Sequence, residues 1–343
     1  MSRWSTLDVD EASVAQLGAL APRQVVEHAE LIAARRLKPV ELYGRWERQQ
    51  WSADDISFGQ DRHDFDHRLP RRFREQLRGA IATFIVGEYT GLDMLAPVML
   101  GARAEDDLVF LGTQVADEAR HARLMFRLGH EVLGFDEDPS VMLRQAWDLA
   151  EPEHRALAAI EGELMRATVS DPSDYENWVR SVTLFHLVTE GILAVSGQRA
   201  LVRQLSRLPL LPGIRSGFAA MCRDESRHIS FGLHSLRIAL QEGHAGAVED
   251  VLERTVPLAL AMTRSMEPRN GAVGAAAGAD DVVTTGVDSF RRAMRWIGAD
   301  PAFTRHIVDR SLAAPGADLL VATRSGAPAP VSPIDAPTDR STP

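Results

Sequence analysis

The chain has 343 residues, of which 45% are hydrophobic and 25% charged, with a formal net charge of −10. Acids and bases are interspersed, which suits a globular protein with a real core and argues against a nucleic-acid surface, since that needs a basic stripe. Cys222 is the only cysteine, so neither an internal disulfide nor a thiolate metal cage can form. The N-terminal stretch MSRWSTLDVDEAS carries no apolar signal region, and no apolar run reads as long enough to span a membrane; a cytoplasmic location is the expectation.

Taken in chain order, the sequence reads as all-α. Apolar residues recur at three- and four-residue spacing, without alternating β-branched runs. A first helix is expected at 23–48. Breaks near Pro70, Gly101, Gly134 to Pro139, Asp171-Pro172 and Leu211-Pro212-Gly213 delimit long helices at 71–100, 105–133, 140–169, 174–205 and 213–242. Shorter helices follow at 245–265, 281–297 and 301–312. The Gly- and Ala-rich segment 267–281 reads as a loop, and the Pro-, Ala-, Ser- and Thr-rich stretch from Ala313 onward as a disordered tail. The expected organisation is a helical extension over 1–49, a helical domain over 50–312 and the tail over 313–343.

One motif appears twice. Asp117-Glu118-Ala119-Arg120-His121 returns as Asp224-Glu225-Ser226-Arg227-His228, 107 positions later. A Glu and a His three apart share one face of a helix, where they can bind one divalent ion. Two such helices can bind two ions side by side if other helices add carboxylates. Glu88 lies in the apolar stretch IATFIVGEYTGLDML and Glu190 in LFHLVTEGILAVSG. A charged side chain there is costly unless it is paired or metal-bound. Glu88 precedes Glu118 by 30 residues and Glu190 precedes Glu225 by 35, so the chain contains two helical hairpins of one design. Four Glu and two His on four helices are the ligand set of a ferritin-like di-metal bundle.

The flanking residues read as support. A metal-bound His usually donates its second ring N–H to a carboxylate. Asp224 is expected to accept from His121 and Asp117 from His228. Arg120 and Arg227 are expected to pair with these aspartates or with the ligand carboxylates.

These residues resemble the R2-like branch of the ferritin-like superfamily, which holds ribonucleotide reductase small subunits, R2-like ligand-binding oxidases and, more distantly, bacterial multicomponent monooxygenases. The stretch WSADDISFGQDRHDFDHRLPRRFREQL at 51–77 is similar to the segment leading into their first ligand helix. The resemblance implies a Trp51–Asp224–His121 relay for electrons, mobile carboxylates at Glu190 and Glu225, and a homodimer. It also exposes departures. Met125 stands where radical-storing subunits carry a tyrosine, and the chain has only Tyr43, Tyr89 and Tyr175. Gly91 and Phe185 stand where the ligand-binding oxidases carry their Val–Tyr cross-link.

Gly87, Gly91, Gly191 and Ala194 fall within a turn of Glu88 or Glu190. They fit either close helix packing or an open apolar cavity, walled by Met125, Phe185 and Met221, that admits an acyl chain or another hydrophobic molecule. His63, His67, His130, His154, His186 and His234 lack a matching half-site and read as packed or hydrogen-bonded, with His186 nearest the motif. Cys222 reads as a small buried hydrophobe.

Carboxylates with imidazoles suit Fe(II) or Mn(II), so the expected cofactor is an Fe/Fe or Mn/Fe pair. Three functions follow: an oxidase or oxygenase that uses O2 as co-substrate, an external electron donor and a small-molecule or acyl-chain substrate; a radical-generating reductase subunit; or a non-catalytic metal-binding bundle.

Overall fold

A computed structural model describes residues 9–265 and 282–313, and no strand occurs among the described residues. The elements run α1 (Val14–Ala19), α2 (Pro22–Ala34), α3 (Pro39–Arg48), α4 (Gly59–His67), α5 (Arg71–Leu100) and α6 (Glu105–Glu131). They continue with α7 (Pro139–Asp148), α8 (Pro152–Ser170), α9 (Tyr175–Ser206), α10 (Pro212–Gln241), α11 (Ala245–Ser265), α12 (Val282–Ile297) and α13 (Pro301–Ala313). The segment 267–281 and the tail beyond Ala313 lie outside the described residues.

Two expected helices are each divided. The stretch 23–48 breaks into α2 and α3, where Arg36 takes a left-handed φ of 55° and Pro39 opens the second helix. The stretch 140–169 breaks into α7 and α8, with Pro152 at the first position of α8. In both cases a proline with fixed φ and no amide hydrogen starts a new helix more readily than it continues an old one.

The helix α9 departs from the expected α geometry in a different way. Its middle, Thr183–Ala194, is a π-helix flanked by α-helical Tyr175–Val182 and Val195–Ser206. This helix is long and apolar enough by composition to cross a membrane, against the expectation from sequence, but 83% of its most apolar window is buried inside the protein. It is a core helix, and its apolar run reflects contact with neighbouring helices on every side.

The four long helices α5, α6, α9 and α10 carry the duplicated hairpins. Apolar cores fill both ends of the bundle. Phe110 stacks on Phe231 at 4.9 Å between ring centroids in one core, and Phe84 meets Phe218 edge-on at 5.0 Å in the other. The start of α10 is fixed from α4: Asp61 accepts from the amides of Gly213 and Ile214 at 3.0 and 2.8 Å, and Asp64 accepts from that of Leu211 at 3.0 Å. Buried carboxylates thus satisfy amides that no preceding turn can pair, and fix the axial position of the helix bearing Glu225 and His228.

Candidate metal centre

The duplicated motif places six side chains at one level of the bundle. Glu88 comes from α5, Glu118 and His121 from α6, Glu190 from α9, and Glu225 and His228 from α10; all are buried. They form two groups of four, Glu88–Glu118–His121–Glu225 and Glu118–Glu190–Glu225–His228, whose donor atoms lie within 4.8 Å of one another in each group. Donors ~2.1 Å from a first-row divalent ion stand ~4.2 Å apart at most, so each group is close to ion-binding size.

The two groups share two residues. Glu118 turns Oε2 toward His121 Nδ1 (3.6 Å) and Oε1 toward His228 Nδ1 (3.2 Å). Glu225 turns Oε1 toward His121 Nδ1 (3.8 Å) and Oε2 toward His228 Nδ1 (3.4 Å). Glu88 sits on the His121 side, 3.3 Å from Nδ1, and Glu190 on the His228 side, at 3.2 Å. Glu118 and Glu225 thus each face both histidines and could serve two ions, whereas Glu88 and Glu190 each face one.

Several of these donor atoms have no hydrogen-bond partner. His121 Nδ1, His228 Nδ1, Glu190 Oε2 and Glu225 Oε2 are buried without a hydrogen-bond partner, a costly state for polar atoms unless something else occupies the space between them. The crowding of carboxylates also draws positive charge. Burial opposes charge on both imidazoles, yet Asp224, Glu118 and Glu88 around His121, and Asp117, Glu118, Glu190 and Glu225 around His228, raise both well above the ordinary range. Burial, with Glu118 and Glu225 nearby, pushes the Glu88 carboxyl up to about 8, and burial beside Glu225 and Glu118 raises that of Glu190 too. Burial acts on Glu118 in the same sense, but the His121 and His228 imidazoles beside it hold it below the ordinary carboxylate value. Two divalent ions would offset the charge of four glutamates, and the residues present fit such a pair.

Around this level the second ring nitrogens are held crosswise. His121 Nε2 faces Asp224 Oδ2 at 3.3 Å, and His228 Nε2 faces Asp117 Oδ2 at 3.2 Å. Arg227, fully buried, donates to Asp117 and Asp224 at 2.7 Å each. Arg120 donates to Asp117 at 3.0 Å and lies 3.6 Å from Asp224. Each aspartate also takes an indole N–H: Trp51 Nε1 donates to Asp224 at 2.7 Å, and Trp46 Nε1 to Asp117 at 3.0 Å. Trp51 is placed by its neighbours in sequence, since Arg127 holds the carbonyls of Ala53 and Ile56, and Arg223 holds that of Gln49.

Sequence reasoning missed Trp46, Gln49, Gln114 and Gln198. Gln114 donates to Glu190 Oε1 at 2.9 Å and faces His186 Nε2 at 3.0 Å. Gln198 donates to Glu225 Oε1 at 3.1 Å, and Gln49 takes a short hydrogen bond from Arg227. A glutamine one turn before Glu118 on an otherwise buried face was the available signal for Gln114. Nothing in the local sequence marked Trp46, which arrives from α3 across a gap of 71 positions. His186 is thus hydrogen-bonded and outside both ligand groups, and burial lowers it to about 3.

A cavity of about 60 Å³ opens on Glu88, Glu118, Glu190 and Glu225 between α5, α8 and α9. Gly91, Phe185 and Ala194 line it, as does Gly87, where an added Cβ would meet nothing within 4 Å. An added Cβ at Gly91 would lie 3.4 Å from Glu118 Oε2 and 3.5 Å from Phe185. Met125 and Met221 do not line this cavity; both are fully buried in the core beyond the His121 side. Cys222 is buried beside a second, smaller cavity of about 30 Å³ that reaches Glu225 and Gln198 from the opposite flank, and burial pushes its thiol up to about 12. The first cavity is well below the ~150 Å³ that holds a benzene ring, so as it stands it takes a few non-hydrogen atoms and not an acyl chain.

Among solved structures, the chain is similar to an R2-like ligand-binding oxidase variant with an anaerobically reconstituted Mn/Fe cofactor. The identity is 21% and the TM-score 0.66, over 76% of this chain and 94% of that one. A second variant of that oxidase, with a non-activated Mn/Mn cofactor, matches at 21% identity and a TM-score of 0.66, over 76% of this chain and 93% of that one. A third, aerobically reconstituted with Mn/Fe, matches at 20% identity and 0.60, over 80% and 93%. These likenesses establish the R2-like all-α fold. The family model for the ribonucleotide reductase small chain matches residues 35–267, a span that holds both hairpins and both indole donors, and this chain belongs to that family.

Proposed function

We propose that this chain is a di-metal carboxylate oxidase or oxygenase that binds an Mn/Fe or Fe/Fe pair and uses O2 to oxidise a small organic substrate. The observation that carries this reading is the sharing of Glu118 and Glu225 between two buried four-residue groups, with a cavity opening on the same glutamates. The similar oxidases with Mn/Fe cofactors support it. When bound, the metal pair supplies the electrons for O2 reduction. Glu88 and Glu190 hold the outer positions, Glu118 and Glu225 the shared ones. Asp224 and Asp117 orient His121 and His228 so that each Nδ1 faces inward. Arg227 and Arg120 offset the two aspartates, and the apolar packing of α5, α6, α9 and α10 keeps bulk water out.

Trp51, bonded through Asp224 to His121, is the proposed entry for electrons from an external donor. The family resemblance adds a homodimer to this reading. The alternative, a radical-generating reductase subunit, would have to hold its oxidising equivalent without the usual tyrosine. Met125 fills that position in the core, and Tyr89, next to Glu88 in sequence, is 38% exposed on the outer face of α5.

The test is anaerobic loading with Mn(II) and Fe(II), followed by exposure to O2. The reading expects O2 uptake stoichiometric with the metal pair and lost in Glu118→Ala. Full metal loading without O2 uptake would refute it.

A further inference from the structure

The cavity beside the glutamates has a polar wall that the metal site does not use. Glu161, on α8, is buried at 6% exposure and lines the cavity together with Glu88, Glu118 and Glu190. Its carboxylate has one protein partner, the Thr189 hydroxyl, which donates to Oε1 at 3.3 Å. Among the described residues, no Lys or Arg lines the cavity and no cation pairs with Glu161. Two helical turns earlier on the same face of α8, His154 also lines the cavity, 7% exposed, with its Nδ1 buried and unpartnered. Burial lowers that imidazole to about 4, so it is neutral and keeps an acceptor nitrogen.

A buried carboxylate without a cation is costly, and a pocket wall that offers acceptors without basic groups is selective. It rewards a ligand that brings its own N–H donors and positive charge. Burial pushes the Glu161 carboxyl up to about 7, so above that pH the wall offers nothing to an anionic head group, for which the metals alone would have to serve. The cavity's volume admits only a small group at this position.

We propose that Glu161 is a specificity-determining residue that binds the ammonium group of a small primary-amine substrate, presenting the adjoining carbon atoms to the metal pair. The inference rests on the proposed di-metal reading and narrows its substrate class to amines. Thr189 holds the carboxylate from the π segment, next in sequence to Glu190, so one hydrogen bond ties the anchor on α8 to the helix that bears Glu190.

The test uses full-length protein loaded with Mn(II) alone, with metal content measured first. Binding of n-propylamine, 1-propanol and propionate is followed at pH 8 by the paramagnetic relaxation of their protons. The wild type should bind the amine about tenfold more tightly than the alcohol, the strength expected of one charge-assisted hydrogen bond, and propionate most weakly. Glu161→Gln should keep two Mn ions per chain and lose the amine preference. Two Mn ions with an amine preference unchanged in Glu161→Gln, or with propionate bound best in the wild type, would overturn the proposal alone. Wild-type protein that takes up fewer than two Mn ions would overturn the di-metal reading and this proposal with it.

Discussion

Asp117, in the first copy of the motif, lies 3.2 Å from the Nε2 of His228, in the second. The reciprocal pair, Asp224 and His121, stands at 3.3 Å. Each copy therefore orients the other's histidine, and neither hairpin completes a site by itself. The duplication is functional in this sense: the motif's first letter serves the opposite motif's last.

Removing one of these carboxylates should weaken metal binding without emptying the bundle. Asp117→Asn replaces the acceptor for His228 with an amide. Losses of ~10- to 100-fold in metal affinity are typical for such partners. Competition with a chelator should show one ion per chain weakened by that factor and the other nearly unchanged. Equal weakening of both would argue against the crosswise pairing. Trp46→Phe should give a smaller loss on the same ion, since it removes one donor to Asp117 and leaves Arg227 and Arg120 in place.

Arg227 is a more severe case. It is fully buried and bonds to both aspartates. Arg227→Met leaves those two carboxylates with the half-buried Arg120 as their remaining guanidinium partner, and breaking a buried pair of this kind costs roughly 3–5 kcal/mol. Chemical denaturation of metal-free protein should show a loss of that order. Arg123→Met, which removes an exposed pair with Asp54, should cost less than about 1 kcal/mol by the same measurement.

Protonation gives a further prediction. Burial and neighbouring carboxylates raise Glu88 to about 8 and raise Glu190 as well, while the surrounding carboxylates raise both histidines. All four gain stability from protonation in the metal-free fold. For the glutamates that contribution is fully present below their unfolded value and is lost as pH rises through about 8 in the case of Glu88. Metal-free protein should therefore lose stability on going from pH 6 to pH 9. Metal binding requires the deprotonated ligands, so it should release protons and tighten over the same interval. Calorimetry in buffers of different ionisation enthalpy would measure the release; no release at pH 7 would contradict the ligand assignment.

Gly232 offers a steric test. A Cβ added there would lie 2.2 Å from the Cβ of His186, on the neighbouring helix α9, closer than any real contact. Gly232→Ala should cost about 1–3 kcal/mol through overpacking. It should also shift His186 and with it Gln114 and Glu190, seen as a weakened ion on the His228 side. Gly79→Ala, with nothing within 4 Å of the added Cβ, should leave metal binding unchanged and raise stability by up to about 1 kcal/mol.

The six central side chains were legible because their chemistry conflicts with their surroundings: Glu88 and Glu190 sit in apolar runs, and a five-residue motif is written twice. The crosswise Asp–His pairing followed from that duplication. The π geometry around Glu190 was not legible, because LFHLVTEGILAVSG is apolar on all faces and shows no period that could separate π from α. Trp46 and Glu161 were missed because each reaches the site from a helix with no motif, Trp46 from α3 and Glu161 from α8. The splitting of 140–169 was obscured by apolar spacing that continues across Pro152, although proline itself was the signal. The wall formed by Met125 and Met221 was misplaced because they flank the ligands in sequence, while the cavity opens on the other side of the bundle, toward α8.

The account depends most on two ions being held by these six side chains, and anomalous X-ray scattering at the Mn and Fe edges from metal-loaded crystals measures that directly. It predicts two peaks about 3.5–4 Å apart, one beside His121 Nδ1 and one beside His228 Nδ1, both in contact with Glu118 and Glu225. A single peak, or two peaks that do not share Glu118 and Glu225, would contradict it.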